Sequence, residues 1–198
     1  MKRHTSLSLF AAITLAAGLP AHAASITLQP SAATVLQGQA FTVDLLIDAA
    51  DVYPDSTGGL YGGEVTIRFD PAQVSFGTLA LASGVSLYLP LASSTAGGQQ
   101  TLVFGFDNAP ETGPVATLDF TAIGNAGTTA AFDIEDNDDF SGSFAAYDPT
   151  YKRFDPAFID ATVQISAVPL PGAAWLLATG AAALGALGRR RQRAPRNA

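Results

Sequence analysis

The chain has 198 residues and no cysteine, and it carries a formal net charge of −7. All 17 acidic residues but only three of the basic ones lie between residues 24 and 168, so this segment has a net charge of −14. A segment so acidic is repelled by nucleic-acid phosphates, and a chain without cysteine has no disulfide, thiolate metal site or cysteine nucleophile.

Residues 1–23 have the features of a secretory signal peptide. Two basic residues precede a short apolar run at 7–19, and Ala21-His22-Ala23 has the small residues of a cleavage site. The alternative is a buried N-terminal helix, but charge, apolar run and Ala-x-Ala follow one another in the order of a signal peptide. We therefore expect export, with the mature protein beginning at Ala24.

Residues 24–167 show the hydrophobic alternation of β-strands. Apolar side chains alternate with polar ones over six runs, which indicates strands with one buried and one solvated face. No segment of ten or more residues has a convincing helical period, and many short strands separated by turns favour a sandwich. The sequence therefore predicts one all-β domain, an antiparallel β-sandwich. The six runs are 41–48, 64–70, 102–106, 117–121, 132–135 and 162–165.

Glycine- and proline-bearing segments separate these runs and predict turns. The predicted turns are Gln37-Gly38, Gly58-Gly59, Asp70-Pro71, Gly97-Gly98, residues 110–114 and residues 124–127. The alternation within the runs also predicts which side chains face the core. These are Val43, Leu45, Val65, Ile67, Phe69, Leu102, Phe104, Leu118, Phe120 and Val163.

Three segments of the domain resemble successive parts of cohesin domains. Residues 35–43 (VLQGQAFTV) resemble the opening, residues 63–76 (GEVTIRFDPAQVSF) the central strand with its Asp-Pro turn and the next strand, and residues 115–124 (VATLDFTAIG) a late strand with its glycine-bearing turn. The resemblance implies a cohesin-like jelly-roll sandwich, related to cellulosomal cohesins and to some carbohydrate-binding modules. It assigns no partner-contacting residue to this chain.

The domain lacks the side chains of most catalytic sites. Both histidines, His4 and His22, lie in the predicted signal peptide, so Ser-His-Asp and Cys-His nucleophile systems and histidine metal sites are excluded from the mature domain. Glycoside hydrolysis needs only two carboxylates, but nearly all the acidic residues fall on solvent-facing strand positions or in turns. The sequence therefore predicts a protein that is not an enzyme.

The densest group of acidic residues lies in one short segment. A hard cation would relieve the repulsion among its carboxylates, and oxygen ligands suit calcium. The spacing is not that of an EF-hand, because Asp138 stands where such a loop has glycine and Phe144 where it has glutamate. The segment is either a calcium site or a solvated acidic turn, and the pattern favours the turn. The candidate ligands are Asp133, Glu135, Asp136, Asn137, Asp138 and Asp139.

Aromatic side chains that could stack on a sugar are few. The one tryptophan, Trp175, lies outside the domain, and Tyr53 and Tyr61 flank a glycine-rich loop. Tyrosines near strand ends are usually partly buried, with a solvated hydroxyl. Glycan binding therefore rests on fold resemblance alone.

Residues 168–198 form a tail of three parts. Residues 168–171 are a rigid extended spacer, because proline fixes φ and disfavours helix in the residue before it. Residues 172–188 carry no charge, and a helix of that length spans about 26 Å, at the short end for crossing a membrane. The arginine cluster at 189–196 marks the cytoplasmic end. These physical features alone fit a permanent C-terminal anchor.

The tail also resembles a PEP-CTERM sorting signal of the Val-Pro-Leu-Pro-Ala type. The resemblance rests on Val168-Pro169-Leu170-Pro171-Gly172, on the Gly/Ala/Leu helix with Trp175, and on Arg189-Arg190-Arg191. Leu170 stands where the PEP motif has glutamate, and Gly172 where the variant has alanine. The resemblance implies recognition by an exosortase-type membrane transpeptidase of a Gram-negative bacterium that makes exopolysaccharide. Cleavage is expected near the Pro-Leu-Pro element.

These features predict an exported adhesion or scaffold module of the cell envelope or extracellular matrix. The protein would cross the inner membrane, be held there by its C-terminal helix before processing, and then reside in the envelope, on the surface or outside the cell. Its expected partner is another envelope protein or exopolysaccharide, and the alternative function is a carbohydrate-binding module acting on exopolysaccharide. No cofactor is expected besides the candidate calcium ion.

Overall fold

A computed structural model describes residues 24–50, 60–137, 144–148 and 150–168, together with residue 179. Residues 24–168 form strands and turns wherever they are described, in keeping with their period-two patterning. The described part of the chain has no helix with the length and apolar character needed to cross a membrane. The strands are β1 (Ser25–Pro30), β2 (Thr34–Leu36), β3 (Ala40–Asp48), β4 (Leu60–Phe69), β5 (Val74–Leu81), β6 (Ser86–Ala96), β7 (Gln99–Ala109), β8 (Thr112–Ala122), β9 (Thr129–Asp136), β10 (Ala145–Asp148), β11 (Thr150–Arg153), β12 (Ala157–Ile159) and β13 (Ala161–Ser166).

The strands form two sheets that share one hydrophobic core. The first sheet has the order β12-β1-β3-β8-β5. The second has the order β11-β10-β4-β9-β13-β2, and β7 pairs with β4 while β6 pairs with β7. β10 pairs only with the start of β4, and β9 pairs with the later part of β4. These two strands therefore lie along one edge of β4, and β7 lies along the other edge. The predicted all-β sandwich is confirmed.

Two pairs of strands depart from the predicted antiparallel arrangement. β1 pairs with β12 in parallel, and β13 pairs with β2 in parallel. Both β2 and β12 are three-residue strands at sheet edges. β2 lies in the second sheet, whereas β1 and β3, its neighbours along the chain, lie in the first. The chain therefore crosses to the second sheet after β1 and returns before β3. Alternation along a strand reports which face is buried and carries no information on the direction of its neighbour.

The core contains every side chain that the alternation predicted to face inward. All ten are buried. A cluster of phenylalanines fills one end of the core, with Phe120 at its centre: its ring lies 4.9 Å from that of Phe132 and 5.1 Å from that of Phe69, both from the opposite sheet. A second cluster around Phe144 fills the other end, 6.1 Å from Phe106. These ring contacts tie the two sheets together.

The predicted turn at 110–114 is shorter than expected. β8 already begins at Thr112, where Gly113 pairs with Ile47 and Pro114 with Leu46. Leu45 then pairs with Ala116, so Val115 is an extra residue that forms a β-bulge. A proline lacks the N–H that a regular ladder uses, and this irregularity accommodates it within the strand.

Candidate functional site

One outer surface carries an ordered set of side chains that the core does not require. It is formed by β6, β7, β4 and β9, and we call it the Tyr88 face. Its residues point outward because their neighbours on each strand are buried: on β4, Val65, Ile67 and Phe69 face the core, so Glu64 and Arg68 face solvent. The pairing of Glu64 with Gly105 and of Thr66 with Glu135 brings three strands together on this surface.

Tyr88 carries a half-exposed aromatic ring, with 51% of the residue exposed. Its ring lies over Gly105: a Cβ at that glycine would be 2.7 Å from Tyr88 Cζ and 2.8 Å from Leu89 Cβ. The tyrosine hydroxyl donates a hydrogen bond to Glu64 Oε1 across 3.0 Å. Glycine at position 105 therefore makes room for the ring, and Glu64 fixes its far end.

Glu64 is in turn held by Asn137, the residue that follows β9. The Asn137 side-chain amide donates to Glu64 Oε2 at 2.9 Å, and the Thr66 hydroxyl lies 3.5 Å from Asn137 Oδ1. Thr66 is only 4% exposed, although it points to the outer side of the sheet. The Glu64 carboxylate therefore accepts hydrogen bonds from both Tyr88 and Asn137, and this holds the Tyr88 ring in one position in the unbound protein.

An ion pair extends the same surface. Arg68 on β4 bonds Glu135 on β9, and their side chains are 37% and 52% exposed. The hydrogen bond from Arg68 lowers the pKa of Glu135, and the bond to Glu135 raises the pKa of Arg68. The pair therefore stays ionised over the physiological range.

The candidate calcium ligands divide between several surroundings. Glu135 is paired with Arg68, Asn137 is bonded to Glu64, Asp133 is exposed on β9, and Asp138 and Asp139 lie outside the described residues. Within the described residues, no three acidic side chains are grouped as metal ligands. The calcium site stays a prediction.

Tyr61 does not offer a sugar platform. Its side chain is fully buried against Phe154, and its hydroxyl has no hydrogen-bond partner in the part of the chain that the structure describes. Tyr53 lies outside that part. The sequence did not single out Tyr88 from the other tyrosines. Tyr88 differs from them because a glycine of the neighbouring strand lies beneath its ring. Which residues of two strands lie opposite each other depends on the strand register, and residue patterns do not give that register.

Most of the predicted processing residues lie outside the described part of the chain. Val168 is 56% exposed, whereas Pro169 to Gly172, Trp175 and the arginine cluster lie outside the described residues. Ala21 and Ala23 also lie outside, and Ala24 is buried, with its carbonyl accepting a hydrogen bond from Ala157 N at 2.7 Å. The cleavage and sorting sites stay predictions.

A shallow cleft on the other sheet is a poor candidate for a catalytic site. It is lined by residues of β1, β3 and β8, among them Ser25, Thr27 and Thr112, and Asp48 is its one carboxylate. Hydrolysis of a glycoside needs two carboxylates.

The fold has known counterparts. The chain is similar in fold to cohesin domains. The seventh ScaB type I cohesin of Pseudobacteroides cellulosolvens matches with a TM-score of 0.55 and 12% identity, over 75% of this chain and 96% of its own length. A cohesin module of a family 33 glycoside hydrolase from Clostridium perfringens matches with a TM-score of 0.53 and 11% identity, over 74% and 98%. A type II cohesin from the cellulosome of Acetivibrio cellulolyticus matches with a TM-score of 0.50 and 16% identity, over 72% and 95%.

No family model matches the chain, and no curated protein matches its sequence. At 11–16% identity, the structural matches show the fold of the domain. They agree with the cohesin-like pattern of the three sequence segments.

Proposed function

We propose that this protein is an exported, non-catalytic module that binds another protein of the cell envelope through the Tyr88 face. The observation that carries the proposal is the half-exposed ring of Tyr88, seated over Gly105 and tied to Glu64. Exposed aromatic side chains with a polar tip are typical energetic centres of protein interfaces. A ring that is already held in place loses little conformational entropy on binding.

The composition of the domain supports a protein partner. Its net charge of −14 disfavours anionic polymers and favours neutral or basic surfaces. The ionised Arg68–Glu135 pair adds a polar border to the same face. The cohesin-like fold also supports a protein partner, since one of the matching domains comes from a cellulosome.

The two ends of the sequence support delivery to the envelope. The signal peptide accounts for export, and the tail fits recognition by an exosortase-type enzyme of a Gram-negative bacterium. Before processing, the apolar run at 172–188 would hold the protein in the inner membrane with its arginines in the cytoplasm. After processing, the domain would act as an adhesion or scaffold module of the envelope or matrix.

Carbohydrate binding is the second candidate. The exposed flat ring of Tyr88 is the kind of surface on which a sugar stacks, and exopolysaccharide is the glycan that the tail resemblance implies. The described surface offers a single such ring on this face, whereas a protein interface needs only one such centre within a larger contact.

The test is retention of the mature protein on cells of the host. Tyr88→Ala should shift the protein from the envelope to the medium and weaken binding by about tenfold or more, the loss expected at an interface centre. Gly105→Ala should have a similar effect, because its Cβ displaces the ring without removing it. Ile159→Ala is the matched control, since Ile159 is an apolar residue with 47% exposure on the other sheet.

Two treatments of the cells identify the class of partner. Protease treatment should abolish binding, whereas removal of exopolysaccharide should leave it intact. The reverse result would establish the carbohydrate-binding alternative. Equal retention of the wild type and the Tyr88→Ala variant would show that this face does not bind the partner.

A further inference from the structure

We propose that, while the tail is still attached, one end of the sandwich rests on the membrane surface. This end, which we call the exit end, comprises the turns at 31–33, 37–39, 70–73, 97–98 and 123–128 and the last described residues, 167–168. The inference rests on the part of the proposed function in which the tail is a membrane segment. It adds which surface of the domain meets the lipid.

Hydrogen bonds place the departure of the tail within this end. Gln37 N donates to Ser166 O at 3.0 Å, and Ile165 N donates to Thr128 O at 2.8 Å. Gly38 N donates to Ala122 O at 2.7 Å, which ties the same turn to β8 of the other sheet. The chain therefore leaves the domain from between turns that belong to both sheets.

The exit end is nearly free of charge, in contrast to the rest of this acidic domain. Asp70 is the one charged residue in its turns, and the Asp70 carboxylate accepts a hydrogen bond from Ala72 N at 2.8 Å within its own turn. Anionic lipids repel carboxylates near the surface. Among the described residues, the opposite end includes the carboxylates of Asp48, Asp107, Glu111, Asp136 and Asp155.

The exit end also carries exposed apolar side chains. Leu36, which directly precedes the turn at 37–39, Ile123 and Val168 are 37%, 46% and 56% exposed. Single exposed apolar residues are ordinary on a protein surface. Three of them around the departure point of a membrane segment form a surface that can enter the boundary between lipid headgroups and acyl chains.

The spacer keeps this end near the bilayer. Three residues separate Val168 from Gly172, the first residue of the apolar run, so the two can be at most about 14 Å apart. The first strand begins at the opposite end, where Ser25 pairs with Asp48. The nine residues of β3 separate the two ends by about 30 Å. The strands would then stand along the membrane normal, with the Tyr88 face turned sideways toward neighbouring proteins.

The experiment measures the distance of two labelled sites from the lipid. The tail-bearing chain is reconstituted into vesicles of phosphatidylethanolamine and phosphatidylglycerol that contain a headgroup-attached nitroxide quencher. Because the chain has no cysteine, Ala126→Cys at the exit end and Ser83→Cys in an exposed turn at the opposite end each accept one fluorophore. We expect quenching at position 126 to be several-fold stronger than at position 83, and equal quenching would overturn the proposal.

A charge variant separates contact from mere tethering. Ile123→Asp should reduce quenching at position 126, whereas Ile159→Asp, at an equally exposed isoleucine away from this end, should not. Quenching that is unaffected by Ile123→Asp would show that the tether alone holds the end near lipid, against the proposal. Flotation of the vesicles distinguishes the hypothesis of a membrane tail from the hypothesis that the exit end contacts lipid. A chain that does not float with them refutes the membrane tail of the proposed function and this inference together, whereas a floating chain with equal quenching refutes this inference alone.

Discussion

Phe120 shows how one residue of the alternating pattern supports the whole core. Its ring contacts Phe41 at 5.9 Å on the same sheet and Phe132 at 4.9 Å on the other, and it is 2% exposed. Alternation on β8 was sufficient to predict its burial. The partners across the core could not be predicted, because period two gives the face of a side chain and leaves the packing of one sheet on another open.

Phe120→Ala should reduce the free energy of unfolding by about 3–5 kcal/mol, through lost burial and the cavity left behind. Phe76→Ala is the matched control, because Phe76 touches the same ring but is only partly buried, and it should cost clearly less. Denaturant unfolding of both variants measures the difference. A Phe120→Ala variant as stable as the wild type would contradict the described core.

The ion pair of Glu135 predicts a small, pH-dependent contribution to stability. Because Arg68 lowers its pKa in the folded state, Glu135 stabilises the fold at pH values above its unfolded pKa of about 4.3. This stability is lost as the pH falls through the lower, folded-state pKa. Because both side chains are exposed to solvent, the ion pair contributes about 1 kcal/mol or less to the free energy of unfolding.

Comparison of the wild type with Glu135→Gln across the pH range tests this prediction. The wild type should be slightly more stable at pH 7, and the difference should vanish in strong acid. A difference that persists there would show that the substitution acts through packing.

At the scale of single elements, the sequence predicted β3, β4 and β8 but missed the very short strands and the eleven-residue β6, in which no side chain is fully buried. β3, β4 and β8 alternate over enough residues to reveal a buried face. β2 and β12 have three residues each, too few for a period, and their parallel pairing is set by contacts with distant strands. The same dependence on register hid the Tyr88 face, since Leu89 and Gly105 are paired only in the folded sheet.

The acidic segment at the end of β9 gives a test at this scale. If calcium binds there, millimolar calcium should raise the melting temperature over that in chelator, by mass action on the folded state. Asp136→Asn combined with Asp138→Asn should reduce the shift. Identical melting curves with and without calcium would establish the solvated acidic turn.

At the scale of the whole molecule, an acidic domain lies between two segments that are predicted to direct its delivery. The first described strand begins one residue after the predicted cleavage site, and Ala24 already bonds β12 through its carbonyl. We therefore expect the signal peptide to be removed before β1 is incorporated into the sheet. The tail leaves from the opposite end, so the two predicted processing events take place at separate places on the domain.

The intact mass of the mature protein from its native host tests the claim on which this function depends, that an exported domain is released from both end segments. We expect a chain that begins at Ala24 and ends near residue 170. Deletion of the exosortase, or replacement of Pro169 and Pro171 by alanine, should leave the tail-bearing chain in the inner membrane. A wild-type mass that includes Arg189 to Ala198 would contradict sorting and show a permanent anchor, and a mass that includes Met1 would contradict export by a cleaved signal peptide.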